Sequence, residues 1–307
     1  MRARRSCLSV PASRERFLEK AEGIGADELI FDLEDSVAPS AKAEARALLV
    51  RALRERDYSG RTRAVRVNDC STRWCHQDVI EVVEGAGDKV DTLVVPKVEG
   101  ADQVRFLDIL LTQVEERAGL PRRLGLELQI ESALGLERAF ESAAASNRAE
   151  ALIFGPLDLS ADLRLPGLDP GTPPAGYPGD FWHYFMARIL TAARAHGLQV
   201  VDGPWFRIQD VEGLRAAAAR SAAFGYDGKW ALNPVQVEAL NEAFSPRPDD
   251  VDKAFAIVEA YRRATEQEAT GAVMLGDEMI DEASRKLAQV TVERAQAFGI
   301  QPRPWKP

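Results

Sequence analysis

Residues 92–131 read TLVVPKVEGADQVRFLDILLTQVEERAGLPRRLGLELQIE. A short apolar run, Thr92–Pro96, gives way to a stretch in which Val104, Leu107, Leu111 and Val114 recur at helical spacing, and a second strand-like run, Gly125–Ile130, follows. The pattern predicts a strand, a helix over Ala101–Ala118 and a further strand. Outward from this unit the alternation repeats. Candidate strands lie at Cys7–Val10, Glu28–Leu33, Arg63–Val67, Ala151–Phe154, Gln199–Val201 and Lys229–Leu232. Helical stretches lie at Ser40–Glu55, Leu134–Ala144, Phe181–His196 and Asp210–Phe224. With the two strands of the quoted stretch this makes eight units, which predicts an α/β chain folded as a closed parallel (β/α)8 TIM barrel. A doubly wound sheet is the alternative, but Pro11-Ala12-Ser13-Arg14 after the first strand lacks the glycine-rich turn of that fold.

The chain continues past the eighth unit. Residues 1–246 are expected to form the catalytic barrel. Residues 247–307, with helices near Asp249–Glu268 and Asp281–Phe298 joined by the hinge Thr270-Gly271-Ala272, are expected to form a helical lid or oligomerisation subdomain. The Gly- and Pro-rich stretch Leu165–Gly179 reads as a long loop of the kind that often binds or covers a ligand.

Composition excludes several classes. Of 307 residues, 39 are basic and 48 acidic, a net charge of −9 that argues against nucleic-acid binding. The basic start, Arg2, Arg4 and Arg5, is too brief to act as a nucleic-acid arm. No apolar run approaches the roughly 20 residues of a membrane helix, and charges recur from Arg14 to Glu22 where a signal peptide would be apolar. A cytoplasmic enzyme is expected. Cys7, Cys70 and Cys75 form no disulfide framework, and the Cys70–Cys75 spacing does not match a zinc knuckle.

In such barrels the chemistry sits at the C-terminal ends of the strands. Here those ends deliver Asp32, Glu34 and Asp35; Arg66 and Asn68; Lys97; Glu131; Asp158; and Asp202. Carboxylates crowded on one rim repel unless a cation neutralises them. Glu131 and Asp158 are hard oxygen donors that suit Mg²⁺, although Asp158 is also placed to cap a helix. Glu34 and Asp35 equally suit the start of a helix. Arg66 suits an ion pair with Glu34 together with a substrate carboxylate. Lys97 suits a neutraliser of the cluster, with a Schiff-base lysine as the alternative.

The motifs Phe31-Asp-Leu-Glu-Asp-Ser-Val-Ala-Pro39, Arg66-Val-Asn68, Val95-Pro-Lys-Val98, Ile130-Glu-Ser132, Gly155-Pro-Leu-Asp158, Val201-Asp-Gly-Pro204, Gly228-Lys-Trp-Ala231 and Met279-Ile-Asp281 occur in this order over almost the whole chain. In them the chain resembles the citrate lyase β-subunit-like (HpcH/HpaI aldolase/citrate lyase) family, on its malyl-CoA/β-methylmalyl-CoA lyase branch. The resemblance implies a carbon–carbon lyase that cleaves L-malyl-CoA or β-methylmalyl-CoA to acetyl-CoA or propionyl-CoA and glyoxylate. It implies Mg²⁺, with Mn²⁺ able to substitute, on Glu131 and Asp158. It makes Arg66 the carboxylate clamp beside Asn68, Arg14 and Lys20 the coenzyme A phosphate ligands, and Asp281 an acid/base from a neighbouring subunit. Glu34, Asp35, Lys97 and Asp202 would support the site. The implied partners are an acyl-CoA thioester and a small oxo-acid, and the implied assembly is a homotrimer or homohexamer. Ser9 stands where the family carries an aromatic and Asn233 where it commonly carries His. Citramalyl-CoA cleavage and a malate synthase or malyl-CoA thioesterase activity are the alternatives.

Overall fold

Eight parallel strands close on themselves in strict chain order: β1 (Ser6–Pro11), β2 (Glu28–Asp32), β3 (Thr62–Arg66), β4 (Thr92–Val95), β5 (Gly125–Ile130), β6 (Ala149–Phe154), β7 (Gln199–Asp202) and β8 (Gly228–Ala231), with β8 pairing back onto β1. The structure, a computed structural model, describes residues 2–166, 176–267 and 269–305. Residues 167–175, most of the expected long loop, therefore lie outside the described residues. The chain divides into two compact units, Arg4–Ala243, and Phe244–Pro307 with Met1–Ala3.

The strands are buried on both faces over most of their length, one face packing on the barrel axis and the other on the helices. Cys7, Ile30, Ala64, Val94, Ile153, Val201 and Trp230 make one buried cluster and define which strand positions point inward. The helix Ala101–Ala118 buries Val104, Leu107, Leu111 and Val114, as its spacing predicts. It stops at Gly119, whose φ of 65° is costly for any residue with a Cβ. Among the described residues no helix is long and apolar enough to cross a membrane.

The floor of the barrel departs from expectation. Arg4 is not part of a surface basic tail; it is 1% exposed. Its Nε donates to Glu28 (3.0 Å) and its Nη2 to Glu127 (2.9 Å) and Glu150 (2.8 Å), while Nη1 donates to Gln199. Glu28 and Gln199 open β2 and β7, and Glu127 and Glu150 lie early in β5 and β6, so one guanidinium gathers the N-terminal ends of these strands. Two of the three carboxylates, Glu28 and Glu127, are fully buried. Burial, then the charge of Glu127, raises the Glu28 carboxyl well above its ordinary value despite Arg4.

In the second unit, helices Pro248–Gln267 and Glu282–Ala297 pack through Ala254, Ala288 and Val292. The segment between them is more than a hinge. After Thr270-Gly271-Ala272 it forms a two-stranded antiparallel hairpin, β9 (Val273–Leu275) and β10 (Glu278–Ile280), turned at Gly276 with φ 63°.

Candidate active site

Asp32 and Arg66 are register partners at the C-terminal ends of β2 and β3. Ile30 and Ala64 point inward, so two residues on Asp32 and Arg66 do as well. Asp32 grips the guanidinium bidentately, from Nε and Nη2 at 2.8 Å each, and Glu34 takes Nη1 at 3.1 Å. The guanidinium carbon stands 5.3 Å from the centre of the Trp230 ring. Burial alone would raise the Asp32 carboxyl; Arg66, the Ser36 side chain and the Glu34 N–H outweigh it and hold it below the usual range. Arg66 is thus pre-aimed, and its terminal nitrogens keep N–H groups beyond those given to Asp32 and Glu34.

Lys97 follows β4 with a φ of 51°, a left-handed conformation uncommon outside glycine. Its backbone N–H donates to Glu131 (2.8 Å) and its Nζ to Glu34 (2.6 Å). Burial would lower the Lys97 ammonium, but Glu34 and Asp35 outweigh it and raise it. An imine-forming lysine needs the opposite shift, so the Schiff-base alternative has no support here. Lys97 neutralises the cluster.

Glu131, 3% exposed, follows β5. Lys97 holds one of its oxygens and Gln129 Nε2 the other (2.6 Å). Burial first, and then the charge of Asp158, push its carboxyl up to about 8. Asp158 lies in the first turn of the helix Pro156–Asp162, behind Gly155. A Cβ at Gly155 would meet the Glu131 Cβ at 2.4 Å, so the glycine lets the two strand ends approach. The repulsion that raises Glu131 is what a divalent cation shared with Asp158 would relieve, and two hard oxygens suit an ion that keeps several waters.

These residues line one cavity of about 350 Å³, walled by Asp32, Arg66, Gln129, Glu131, Asp158 and Trp230, with Asp35 also on its wall. A second groove of about 340 Å³ shares Ser9, Pro11 and Leu232 with it and is lined by Phe17, Lys20 and Asn233. Arg14 is exposed at the start of the adjoining helix and is not among the groove residues. Asn233 caps the turn Pro234–Gln236 through a capping box.

Two expected site residues of the barrel, Asn68 and Asp202, do not line this cavity. The Asn68 amide donates to Leu33 O (3.0 Å) and Asp78 (2.6 Å), binding the strand ends from behind. Asp202 does not join the carboxylate cluster. Val201 points inward, so Asp202 faces the helices, where it takes Ser221 Oγ and Lys229 Nζ at 2.5 Å each. Asp281 lies in the second unit as the N-cap of the helix Glu282–Ala297. The backbone N–H and hydroxyl of Ser284 hold its carboxyl below the usual range. Sequence reasoning missed the roles of Asp32 and Gln129. Gln129, in β5, stands two positions before Glu131, which directly follows that strand, a spacing that puts both on one face of extended chain.

The fold and this carboxylate-lined cavity define a (β/α)8-barrel enzyme with its chemistry at the C-terminal rim. The chain belongs to the HpcH/HpaI aldolase/citrate lyase family, whose model matches residues 5–234, and it is an enzyme of the lyase type. It is 37% identical over 304 residues to the L-malyl-CoA/beta-methylmalyl-CoA lyase of Cereibacter sphaeroides (strain ATCC 17029 / ATH 2.4.9), covering 96% of this chain and 95% of that one. It is 35% identical over 301 residues, with the same coverage, to a (3S)-malyl-CoA thioesterase of Cereibacter sphaeroides (strain ATCC 17025 / ATH 2.4.3). The crystal structure of the protein CitE from Mycobacterium tuberculosis in complex with magnesium, acetoacetate and coenzyme A matches with a TM-score of 0.71 at 28% identity, covering 95% of this chain and 97% of that one.

Proposed function

We propose that this chain reversibly cleaves L-malyl-CoA or β-methylmalyl-CoA to glyoxylate and acetyl-CoA or propionyl-CoA, as a cytoplasmic homotrimer or homohexamer. The observation that carries the reading is the meeting, in one cavity, of the Glu131–Asp158 pair with an Arg66 already clamped by Asp32. Glu131 and Asp158 would hold Mg²⁺, or Mn²⁺ in its place, which supplies Lewis-acid polarisation of the oxo-acid carbonyl.

The chain's own residues do the rest. Arg66 fixes the glyoxylate carboxylate through its remaining N–H groups. Lys97 and Gln129 hold both Glu131 oxygens in place. Lys20 and the groove beside Ser9 receive the coenzyme A arm, and Arg14, exposed at the N-cap of the adjoining helix, takes a coenzyme A phosphate. In condensation, Asp281 of a second copy, ionised at neutral pH, takes the proton from the thioester methyl carbon, that carbon attacks the aldehyde, and the aldehyde oxygen, as its π bond breaks, takes a proton from solvent to become the hydroxyl. In cleavage the hydroxyl proton passes to solvent, the carbon–carbon bond breaks with its electron pair left on the thioester carbon, and Asp281, now protonated, gives its proton to that carbon.

Incubation with a thioester panel, with and without chelator, tests the reading by mass spectrometry of products. Acetyl-CoA with glyoxylate, seen only with metal, is expected. The thioesterase relative favours a second reading, which free coenzyme A with malate would establish. Turnover of no 3-hydroxyacyl-CoA in the panel would refute both.

Two further outcomes are expected. Arg66→Lys keeps a cation for Asp32 but loses the planar fork, and should raise the KM for glyoxylate about one to two decades, as loss of a charge-assisted bond of about 1.5–3 kcal/mol implies. Lys20→Ala should leave that KM unchanged and weaken the thioester instead. Equal effects of both changes on both substrates would contradict these poses. For the shared site, Glu131→Gln and Asp281→Ala chains, each nearly inactive alone, are co-expressed. Random mixing with a head-to-tail contact restores about 25% of sites; verified mixed oligomers without activity would show that Asp281 serves its own barrel or none.

A further inference from the structure

The loop after β3 carries a feature that the proposed lyase chemistry does not use. Cys70 and Cys75 lie with their sulfurs 3.9 Å apart, the Cys75 thiol directed at Cys70 Sγ. The turn between them is tightly held. Asp69 accepts from Ser71 N (3.0 Å) and Ser71 Oγ (2.6 Å) through its carboxylate, and from Thr72 N (2.9 Å) through its carbonyl. Cys75 opens the helix Cys75–Ala86, whose Val79, Val82 and Val83 are buried, so its position is anchored. Cys70 is half-buried and Cys75 is 1% exposed. The geometry points to a redox-active dithiol, in which Cys70 reacts with a peroxide and Cys75 then closes a Cys70–Cys75 disulfide across the β3 loop.

The division of labour follows from the surroundings. The hydrogen bond to Cys70, and then burial, push the Cys75 thiol up, which disfavours it as the sulfur that meets peroxide first. In the first step the Cys70 thiolate attacks the peroxide. A sulfur–oxygen bond forms, the oxygen–oxygen bond breaks, and the departing hydroxide takes up the thiol's proton as water. In the second step Cys75 Sγ attacks Cys70 Sγ. The sulfur–sulfur bond forms, the sulfur–oxygen bond breaks, and the hydroxyl leaves with the Cys75 proton as a second water. Closure brings the sulfurs from 3.9 Å to a bond of about 2.05 Å, a movement the half-buried Cys70 turn can supply. The dithiol also lies close to the site. Trp74, next to Cys75, packs against Lys42 (5.5 Å), whose Nζ holds the carbonyls of Leu33 (2.8 Å) and Glu34 (2.7 Å).

Trypsin provides the readout, because cleavage after Arg73 puts the two sulfurs on separate peptides, Val67–Arg73 and Trp74–Lys89. The reduced full-length chain is treated with hydrogen peroxide, alkylated, digested and mapped by mass spectrometry. The expected result is a disulfide-linked pair of these peptides, absent after dithiothreitol, with Cys7 still reduced. Cys75→Ala, checked for folding by circular dichroism, is expected to leave a sulfenic acid on Cys70 that dimedone traps. The folded chain should form the link faster than the chain in urea. Separate alkylation of both peptides after peroxide, a link between two chains through Cys70, or equal rates folded and unfolded would each overturn the proposal.

Discussion

Glu131→Gln and Asp158→Asn are each expected to lower kcat by about two to three decades while leaving the chain folded. That is the size of effect seen when one group that stabilises developing charge is removed from an active site. The two substitutions act differently. At position 131 both carboxylate oxygens accept hydrogen bonds, from Lys97 N and Gln129 Nε2, so an amide there must turn a donor toward a donor. Asp158 stands partly exposed on a short helix, and its change alters charge alone. Neither should unfold the barrel. A carboxyl raised to about 8 in the folded chain and near 4.3 unfolded contributes stability below the unfolded value. That contribution is lost as pH rises through about 8, so the metal-free barrel should weaken over this window and Glu131→Gln should flatten the loss. Added Mg²⁺ should raise the Tm of the parent chain and of neither variant. Unaltered turnover in either variant, or an equal Mg²⁺ shift in all three, would remove the metal pair from the mechanism.

Arg4→Met is expected to destabilise the barrel by about 3–5 kcal/mol, the cost of stripping the cation from buried carboxylates. Glu28→Gln should behave in the opposite sense. The Glu28 carboxyl is raised in the folded state, so its contribution is present below the ordinary glutamate value and lost as pH rises above it. The amide carries no such penalty, and the variant should gain on the parent chain steadily from mildly acidic to alkaline pH. Urea melts at several pH values measure both. A parent and a Glu28→Gln chain with parallel pH profiles would show that the floor carries no raised carboxyl.

Most of the barrel is legible in the sequence because each strand, buried on both faces, reads as an apolar run between amphipathic helices. The rim follows from the same reading, since Arg66, Glu131 and Asp158 end or follow such runs. That continuous burial also hides which strand face points inward. Val200 and Val201 are both fully buried, so nothing in the sequence tells that Val201 faces the axis and Asp202 the helices. The same ambiguity conceals Asp32 as the anchor of Arg66. Arg4 is illegible for another reason: its partners are 24 to 195 residues away, and no local pattern announces a long-range ion cluster. Strands of three residues, such as β9 and β10, are too short to show a period.

The Arg4 cluster also bears on the order in which the molecule can assemble during synthesis. The arginine leaves the ribosome ahead of all its acceptors, which follow at positions 28, 127, 150 and 199. Until the last has emerged, the nascent chain holds an incomplete ring of acceptors, with strands that lack their neighbours. At roughly 5–20 residues per second, translation imposes an interval of about ten seconds or more before that seal can close. Over that interval the early strands present open edges to chaperones and to other nascent copies of the same chain.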